Sequence, residues 1–284
     1  MFGVSPAFIV SMYGNHFSFN QFCEVLPIIS ELGFSGYQPE VFCKSELIKW
    51  QNEGAFLVNK KAEDLGLHPN QFVAHCLMEN FSTAEELFSL ENIDDLKIVL
   101  DIVKKFPECK TIVIPIGHFS SNHIKLENLN YYLYENLKEA LVKKISKYLE
   151  MITEADLKFA IEVLPNSIVE GTDGFLDLSK KLNSNNFGIS LDTGHAWACR
   201  ELIQFLPIKL EGKIFGLHIC DNDSNINKSL APGKGTINWE SFLTNLRKIK
   251  YNGMLDVEII CKPEEIKTEY GYAKKYLQRV LEKI

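Results

Sequence analysis

Arginine is scarce in this 284-residue chain: Arg200, Arg247 and Arg279 are the only guanidinium groups among 30 basic residues. With a formal net charge of −7, the chain offers no extended face for phosphates, so nucleic acid is not the expected partner. No C-x-x-C pair occurs, and the seven cysteines are odd in number and scattered. That usage excludes a disulfide scaffold and fits a reduced protein, with the cytoplasm as the expected compartment. No stretch approaches the roughly 18 apolar residues of a membrane span, and the short apolar run at Ala7 to Val10 has no cationic segment before it. Neither export nor a membrane anchor is expected. Pro/Ser-rich linkers and low-complexity tracts are also missing, which leaves one domain over residues 1–284 as the simplest organisation.

Present instead are eight short apolar runs rich in β-branched residues: Phe8–Met12, Tyr37–Phe42, Phe72–Cys76, Thr111–Ile116, Phe159–Val163, Phe187–Asp192, Ile214–Cys220 and Met254–Ile260. Each reads as a strand, and stretches with helical spacing lie between them. Trp239, Phe242, Leu243, Leu246 and Ile249 form one such stripe. Ala273, Tyr276, Leu277, Val280 and Leu281 form another on a closing helix that Pro263 helps to start. Ser82 and Glu85 have capping-box spacing before a long amphipathic segment. Alternating strands and helices with near-continuous apolar strands predict an α/β fold, a (β/α)8 TIM barrel. An open doubly wound sheet is the runner-up. Against it, Tyr13, Gly14, Asn15 and His16 stand where a nucleotide-binding glycine loop would follow the first strand.

Strands of a parallel barrel all point one way, so polar residues near their carboxyl ends converge on one mouth. Glu162, Asp192, His218 and Glu258 arrive one per strand on the last four strands, each among apolar neighbours. Taken singly, each is as well explained as a satisfied core polar group. Taken together, three carboxylates in one low-dielectric pocket would repel strongly unless a divalent cation, with an imidazole beside it, held them ionised. We therefore expect one divalent metal ion on Glu162, Asp192, His218 and Glu258; oxygen-rich ligation with one His suits Mn, Mg or Co, with Zn also open.

The run Ile-Ser-Leu-Asp192-Thr-Gly-His195-Ala resembles the sixth-strand signature of the xylose isomerase-like TIM barrels, a family of ketose epimerases, isomerases, sugar dehydratases and endonuclease IV enzymes. Ile161-Glu162-Val-Leu-Pro-Asn166 is similar to the fifth-strand motif, Leu217-His218-Ile-Cys-Asp221-Asn222 to the seventh, and Leu230-Ala-Pro232-Gly233-Lys-Gly235-Thr-Ile-Asn-Trp239 to the glycine loop after it. The resemblance implies the same four metal ligands, catalytic base and acid roles for Glu162 and Glu258, and substrate contact by His195. It implies isomerisation or epimerisation of a small ketose or related hydroxy-carbonyl compound through an enediolate, with a dehydratase or an abasic-site endonuclease as alternatives. A small carbohydrate is then the expected partner, and a homodimer is a candidate assembly.

Departures from the nuclease branch are visible. Asn227 and Ser229 stand where that branch has an Asp and a His, and Ile114 rather than His precedes Pro115, with His118 further on. His75 does resemble its third-strand histidine, and is a candidate either for a second metal or for substrate. The epimerases' Arg beyond the seventh-strand His is replaced by Asp221, Asn222, Asp223 and Ser224. Lys234, with the backbone amides of Gly233 and Gly235, is a candidate anion- or hydroxyl-binding group, against the ordinary reading of a solvated turn lysine. Trp197, Trp50, Phe81 and Phe119 are candidate sugar-pocket walls, with core packing the better reading for each. His16 follows the first strand and is a candidate for the mouth; His68 and His123 read as surface. Lys138, Lys143, Lys144 and Lys147, interleaved with Glu135 and Glu139, read as a solvated helix face.

Overall fold

Phe2 to Val4, three residues, is all the strand the amino terminus provides. The chain then turns at Ser5, whose hydroxyl accepts from the Ala7 amide, and Pro6, with φ −59, leads into a helix over Ala7–Tyr13. The expected strand Phe8–Met12 is therefore helical. A brief apolar run bounded by proline is equally a buried strand or a buried helix turn, and packing decided it: Phe8 and Ile9 are buried, and Phe8 sits edge-on to Tyr270 of the closing helix, centroids 4.7 Å apart.

The computed structural model describes residues 1–284 except 91, 92, 123, 126 and 128; His123 is thus outside the described residues. Its strands are β1 (Phe2–Val4), β2 (Gly36–Tyr37), β3 (His68–Pro69), β4 (Phe72–Val73), β5 (Thr111–Ile116), β6 (Lys158–Val163), β7 (Phe187–Asp192), β8 (Ile214–Ile219) and β9 (Leu255–Val257). They pair in the order β3-β2-β1-β9-β8-β7-β6-β5-β4, every ladder parallel. β3 and β4 are two pieces of one stave interrupted at Asn70 and Gln71, the first pairing with β2 and the second with β5. A parallel bridge between Glu40 and Val73, with Val73 N donating to Pro39 O at 2.9 Å, ties the β2 side to β4 and brings the ends of the sheet together. The expected TIM-barrel architecture is thus present, with helices such as Phe19–Glu31, Tyr131–Glu154 and Ile266–Lys283 between and after the strands.

Side chains alternate between the two faces of each stave. The in-register row Phe72, Ile112, Phe159, Phe187 faces the helices and joins the main core, each such buried side chain contributing about 1.5–3 kcal/mol. The next row, Val73, Val113 and Ala160, packs separately with Phe215 and fills the barrel. Two residues on from that inner row come Glu162, and on the later strands Asp192, His218 and Glu258. A one-residue slip in register would turn all of them outward.

Two local expectations change. Thr83, not Ser82, caps the next helix, its hydroxyl accepting from Glu86 N at 3.2 Å, and that helix covers only Ala84–Phe88. Lys144 does not share the solvated face of Tyr131–Glu154: it is 1% exposed, its ammonium donates to the Glu86 carbonyl, and burial pushes its pKa down to about 8. An unfolded lysine titrates near about 10.4, so between those values the unfolded chain holds a proton that the folded chain has released, and stability rises with pH. Wild type should gain stability relative to Lys144→Met from about pH 8 to about pH 10.4, read by urea unfolding; parallel pH profiles would refute the assignment.

Candidate metal centre

The end of β7 shows how the backbone sets the site. Asp192 caps the helix Thr193–Ala198, its Oδ1 accepting from Gly194 N at 2.6 Å and His195 N at 2.7 Å. A Cβ on Gly194 would lie 2.4 Å from Cys220 Sγ and 2.3 Å from Asn227 Oδ1, so any larger residue here would have to displace both side chains. With Oδ1 consumed by the cap, Asp192 Oδ2 faces His218 Nδ1 at 4.0 Å and, buried, has no hydrogen-bond donor.

His218, from β8, is the centre of the cluster. Its Nδ1 lies 2.7 Å from Glu162 Oε1 and 3.0 Å from Glu258 Oε2, while its Nε2 donates to Gln38 Oε1 at 2.8 Å. One ligand atom from each of Glu162, Asp192, His218 and Glu258 can be chosen so that all lie within 4.8 Å of one another. Burial alone would drive the imidazole's pKa down, but the charges of Glu258 and Glu162 and their hydrogen bonds outweigh it, and the pKa stands well above its ordinary value. Burial pushes Asp192 up to about 6, opposed by His195 and reinforced by Glu258. For Glu258 burial also acts upward, but the adjacent His218 prevails and its pKa is lowered.

These residues fit a divalent cation. The donor set is three carboxylates and one imidazole nitrogen, and Asp192 Oδ2 is a buried anionic oxygen with no protein donor. The partner on the other imidazole nitrogen is what a metal-binding histidine needs to fix its tautomer and tilt. Here that partner is Gln38, whose Nε2 donates in turn to Asp256 Oδ2 at 2.9 Å, where Asn70 Nδ2 also donates at 2.6 Å. Burial pushes Asp256 up to about 6.

His195 stands beside the cluster, its Nε2 at 3.8 Å from Asp192 Oδ2 and 4.0 Å from Glu162 Oε1. Its Nδ1 accepts from Asn227 Nδ2 at 3.3 Å, which leaves the proton on Nε2, directed into the cavity. Burial lowers its pKa, but Asp192 and Glu162 more than compensate and the net shift is upward. His75 also lines the cavity, stacked on Phe42 with ring centroids 3.7 Å apart and its pKa lowered chiefly by burial. The cavity is about 160 Å³ and combines Glu40, Glu162, His195, His218 and Glu258 with apolar walls such as Val10, Leu164 and Ile260.

Lys234 is placed elsewhere. Its ammonium pairs with Glu269 at 2.6 and 2.7 Å and lies over the Tyr272 ring, and it does not line the cavity. The Gly233 amide is equally engaged, donating to Asp221 Oδ2 at 2.8 Å. Asp221 organises this whole loop, also accepting from Trp239 Nε1 at 2.9 Å and, through Oδ1, from Asn222 N and Ile237 N at 2.9 and 3.1 Å. A Cβ on Gly235 would sit 2.4 Å from Asn222 O and 2.6 Å from Asn222 N. Gly235→Ala is expected to cost about 1–3 kcal/mol, and an unchanged urea midpoint would refute that packing.

Trp50 and Phe81 are buried in the core, and Trp197 donates to Ser224 O at 2.7 Å. Neither these nor Phe119 lines the cavity; Phe42 supplies its aromatic wall. His16 is exposed beside Cys43 Sγ at 3.2 Å, and exposed His68 pairs with Glu108 at 2.7 Å. Sequence reasoning missed Gln38 and Glu40. Their signal was present: in Tyr37-Gln-Pro-Glu-Val-Phe42 polar residues alternate with apolar ones, as Glu162 does in its own strand.

Comparison with known proteins gives consistent results. The family model described as Xylose isomerase-like TIM barrel matches residues 26–280. An uncharacterized protein of Methanocaldococcus jannaschii is 26% identical over 194 residues, 66% of this chain and 70% of that protein. Among solved structures, a D-tagatose 3-epimerase-like protein superposes with TM-score 0.74 at 19% identity, covering 99% of this chain and 98% of its own. The IOLI protein with a binding zinc atom gives TM-score 0.69 at 16% identity, covering 99% and 96%. Identities this low speak for the fold.

Proposed function

We propose, for a chain that belongs to the xylose isomerase-like TIM barrel family, that it is a divalent-metal-dependent isomerase or epimerase of a small ketose or related hydroxy-carbonyl compound. The observation carrying this reading is the convergence of four ligand atoms within 4.8 Å of one another at the floor of a small cavity. Glu162, Asp192, His218 and Glu258 would hold the cation, Mn, Mg, Co or Zn. Bound there, it supplies Lewis-acid polarisation of a carbonyl and its neighbouring hydroxyl.

The protein's own groups do the rest. Of the two carboxylates against His218, one takes the proton from the carbon beside the carbonyl and the other returns a proton to the neighbouring carbon or the opposite face. His195, with Nε2–H directed inward, donates to a substrate oxygen as charge develops there. Apolar walls exclude water that would otherwise screen these interactions.

The nuclease alternative has less support. Phosphodiester cleavage benefits from several cations and from basic residues on the backbone. Asn227 spends its side chain on His195, Ser229 and Asn222, and no Lys or Arg lines the cavity among the described residues. The deciding experiment is deuterium uptake from heavy water into a panel of ketoses by the metal-loaded protein, beside an abasic-DNA cleavage assay. Exchange at carbon without strand scission is expected; efficient scission without exchange would reverse the reading. We further propose a cytoplasmic protein that assembles as a homodimer, to be checked by sedimentation velocity.

A further inference from the structure

Glu40 has no part in the chemistry so far, yet it is the least explained group in the cavity. It is 2% exposed, follows β2, and lines the same cavity as Glu162, His218 and Glu258. Its Oε2 is buried with no hydrogen-bond partner among the described residues. A buried carboxyl with an unmade hydrogen bond is costly, and no hydrogen bond to Glu40 Oε2 among the described residues relieves the cost: Gln38, two residues before it, spends its side-chain amide on Asp256 and His218. Burial, and then the charges of Glu162 and Glu258, hold its pKa well above the usual carboxylate range. A carboxyl accepts hydrogen bonds and, when protonated, donates one as well.

The rest of the lining limits what that partner can be. Among the described residues no Lys or Arg reaches the cavity, while Glu40, Glu162 and Glu258 do. Even with a divalent cation in place, the carboxylates of Glu162, Asp192 and Glu258 would outnumber its charge by one, so a phosphate or carboxylate tail would meet no spare counter-charge. The cavity, about 160 Å³, lies below the roughly 300 Å³ at which pockets for drug-sized ligands begin. The Phe42–His75 stack offers an aromatic face for C–H surface beside Glu40.

We propose that Glu40 is a substrate-recognition residue, and that its ligand is a short, uncharged polyhydroxy-carbonyl compound, one hydroxyl of which hydrogen-bonds the Glu40 carboxyl. This rests on the sugar-directed reading of the site and narrows it: phosphorylated and carboxylated sugars are excluded. Recognition by Glu40 is separate from holding the cation, because Glu40 is not one of the clustered ligand groups.

The test uses the full chain loaded with manganese and needs no turnover. Binding of neutral tetritols and pentitols, and of their phosphate esters, is measured by calorimetry for wild type, Glu40→Leu and Glu40→Gln, with manganese affinity from electron paramagnetic resonance as a parallel readout. Wild type is expected to bind at least one free polyol and to bind its phosphate ester at least about tenfold more weakly. Leu removes both polar atoms at similar volume and should weaken polyol binding about tenfold, whereas Gln, which keeps a donor and an acceptor, should stay within about threefold. Manganese affinity should be unchanged in both. The proposal is overturned if wild type binds none of the polyols, if the esters bind as well as the free polyols, if Glu40→Leu binds like wild type, if Gln and Leu lose equally, or if manganese affinity falls with polyol affinity. Absence of deuterium exchange alongside Glu40-dependent polyol binding would remove the isomerase chemistry and leave the recognition role standing.

Discussion

Replacing Glu162 with Gln should lower the rate of deuterium exchange into a ketose substrate by about 10²–10⁴-fold, the usual contribution of a positioned general acid or base, if the proposed chemistry holds. The substitution keeps the shape of the side chain and removes its capacity to take a proton. Two effects are then separable. Glu162 Oε1 lies 2.7 Å from His218 Nδ1 and belongs to the ligand cluster, so cation affinity also falls, but saturating cation restores only that part of the loss. Glu258→Gln should behave alike if the two carboxylates share the proton transfers. If exchange at saturating metal is untouched in both variants, the proton-transfer roles are wrong even where the metal site is right.

The second large effect is thermodynamic. Three acidic groups around one imidazole in a buried setting would be stabilised by a cation that binds only the folded chain. At free metal about a hundredfold above the dissociation constant, linkage adds about 2.7 kcal/mol, a shift of several degrees in the melting midpoint. Chelator should reverse it. Asp192→Ala should abolish the increment, because Asp192 Oδ2 is the ligand atom that no hydrogen bond engages. The same variant also loses the helix cap on Gly194 and His195, about 1 kcal/mol by itself, so the metal-dependent difference and not the absolute midpoint is the measure. A wild-type midpoint indifferent to manganese, cobalt, magnesium and zinc would sink the metal centre.

The second half of the barrel was readable from sequence for a definite reason. Three of its apolar runs are interrupted by a single ionisable residue and the last, Met254–Ile260, by Asp256 and Glu258, and the cost of burying such residues makes the interruptions informative. The first half offered no such contrast. β2, β3 and β4 are two residues long, too short for a period to register, and Phe8–Met12 has the composition of a strand although its contacts make it a helix. Lys144 carried no local mark of burial either; its position follows from a carbonyl contributed 58 residues away. Lys234 illustrates the converse error, because a residue in a motif-like loop attracted a ligand role while Glu269, 35 residues further on, already satisfied it. Gln38 and Glu40 were legible in principle, yet the proline between them disguised the alternation.

The hydrogen bond from His218 Nε2 to Gln38 joins opposite portions of the cylinder. All four candidate ligands come from the late staves, but the tilt of the imidazole is set by a glutamine following Gly36 on an early one, itself steadied by Asp256. Each half of the polypeptide therefore holds something the other lacks: one the grip, the other its aim. Expressed as separate fragments, the carboxyl-terminal half would keep every coordinating side chain and still hold ions loosely, and adding the amino-terminal half back would tighten the hold without contributing a single donor atom.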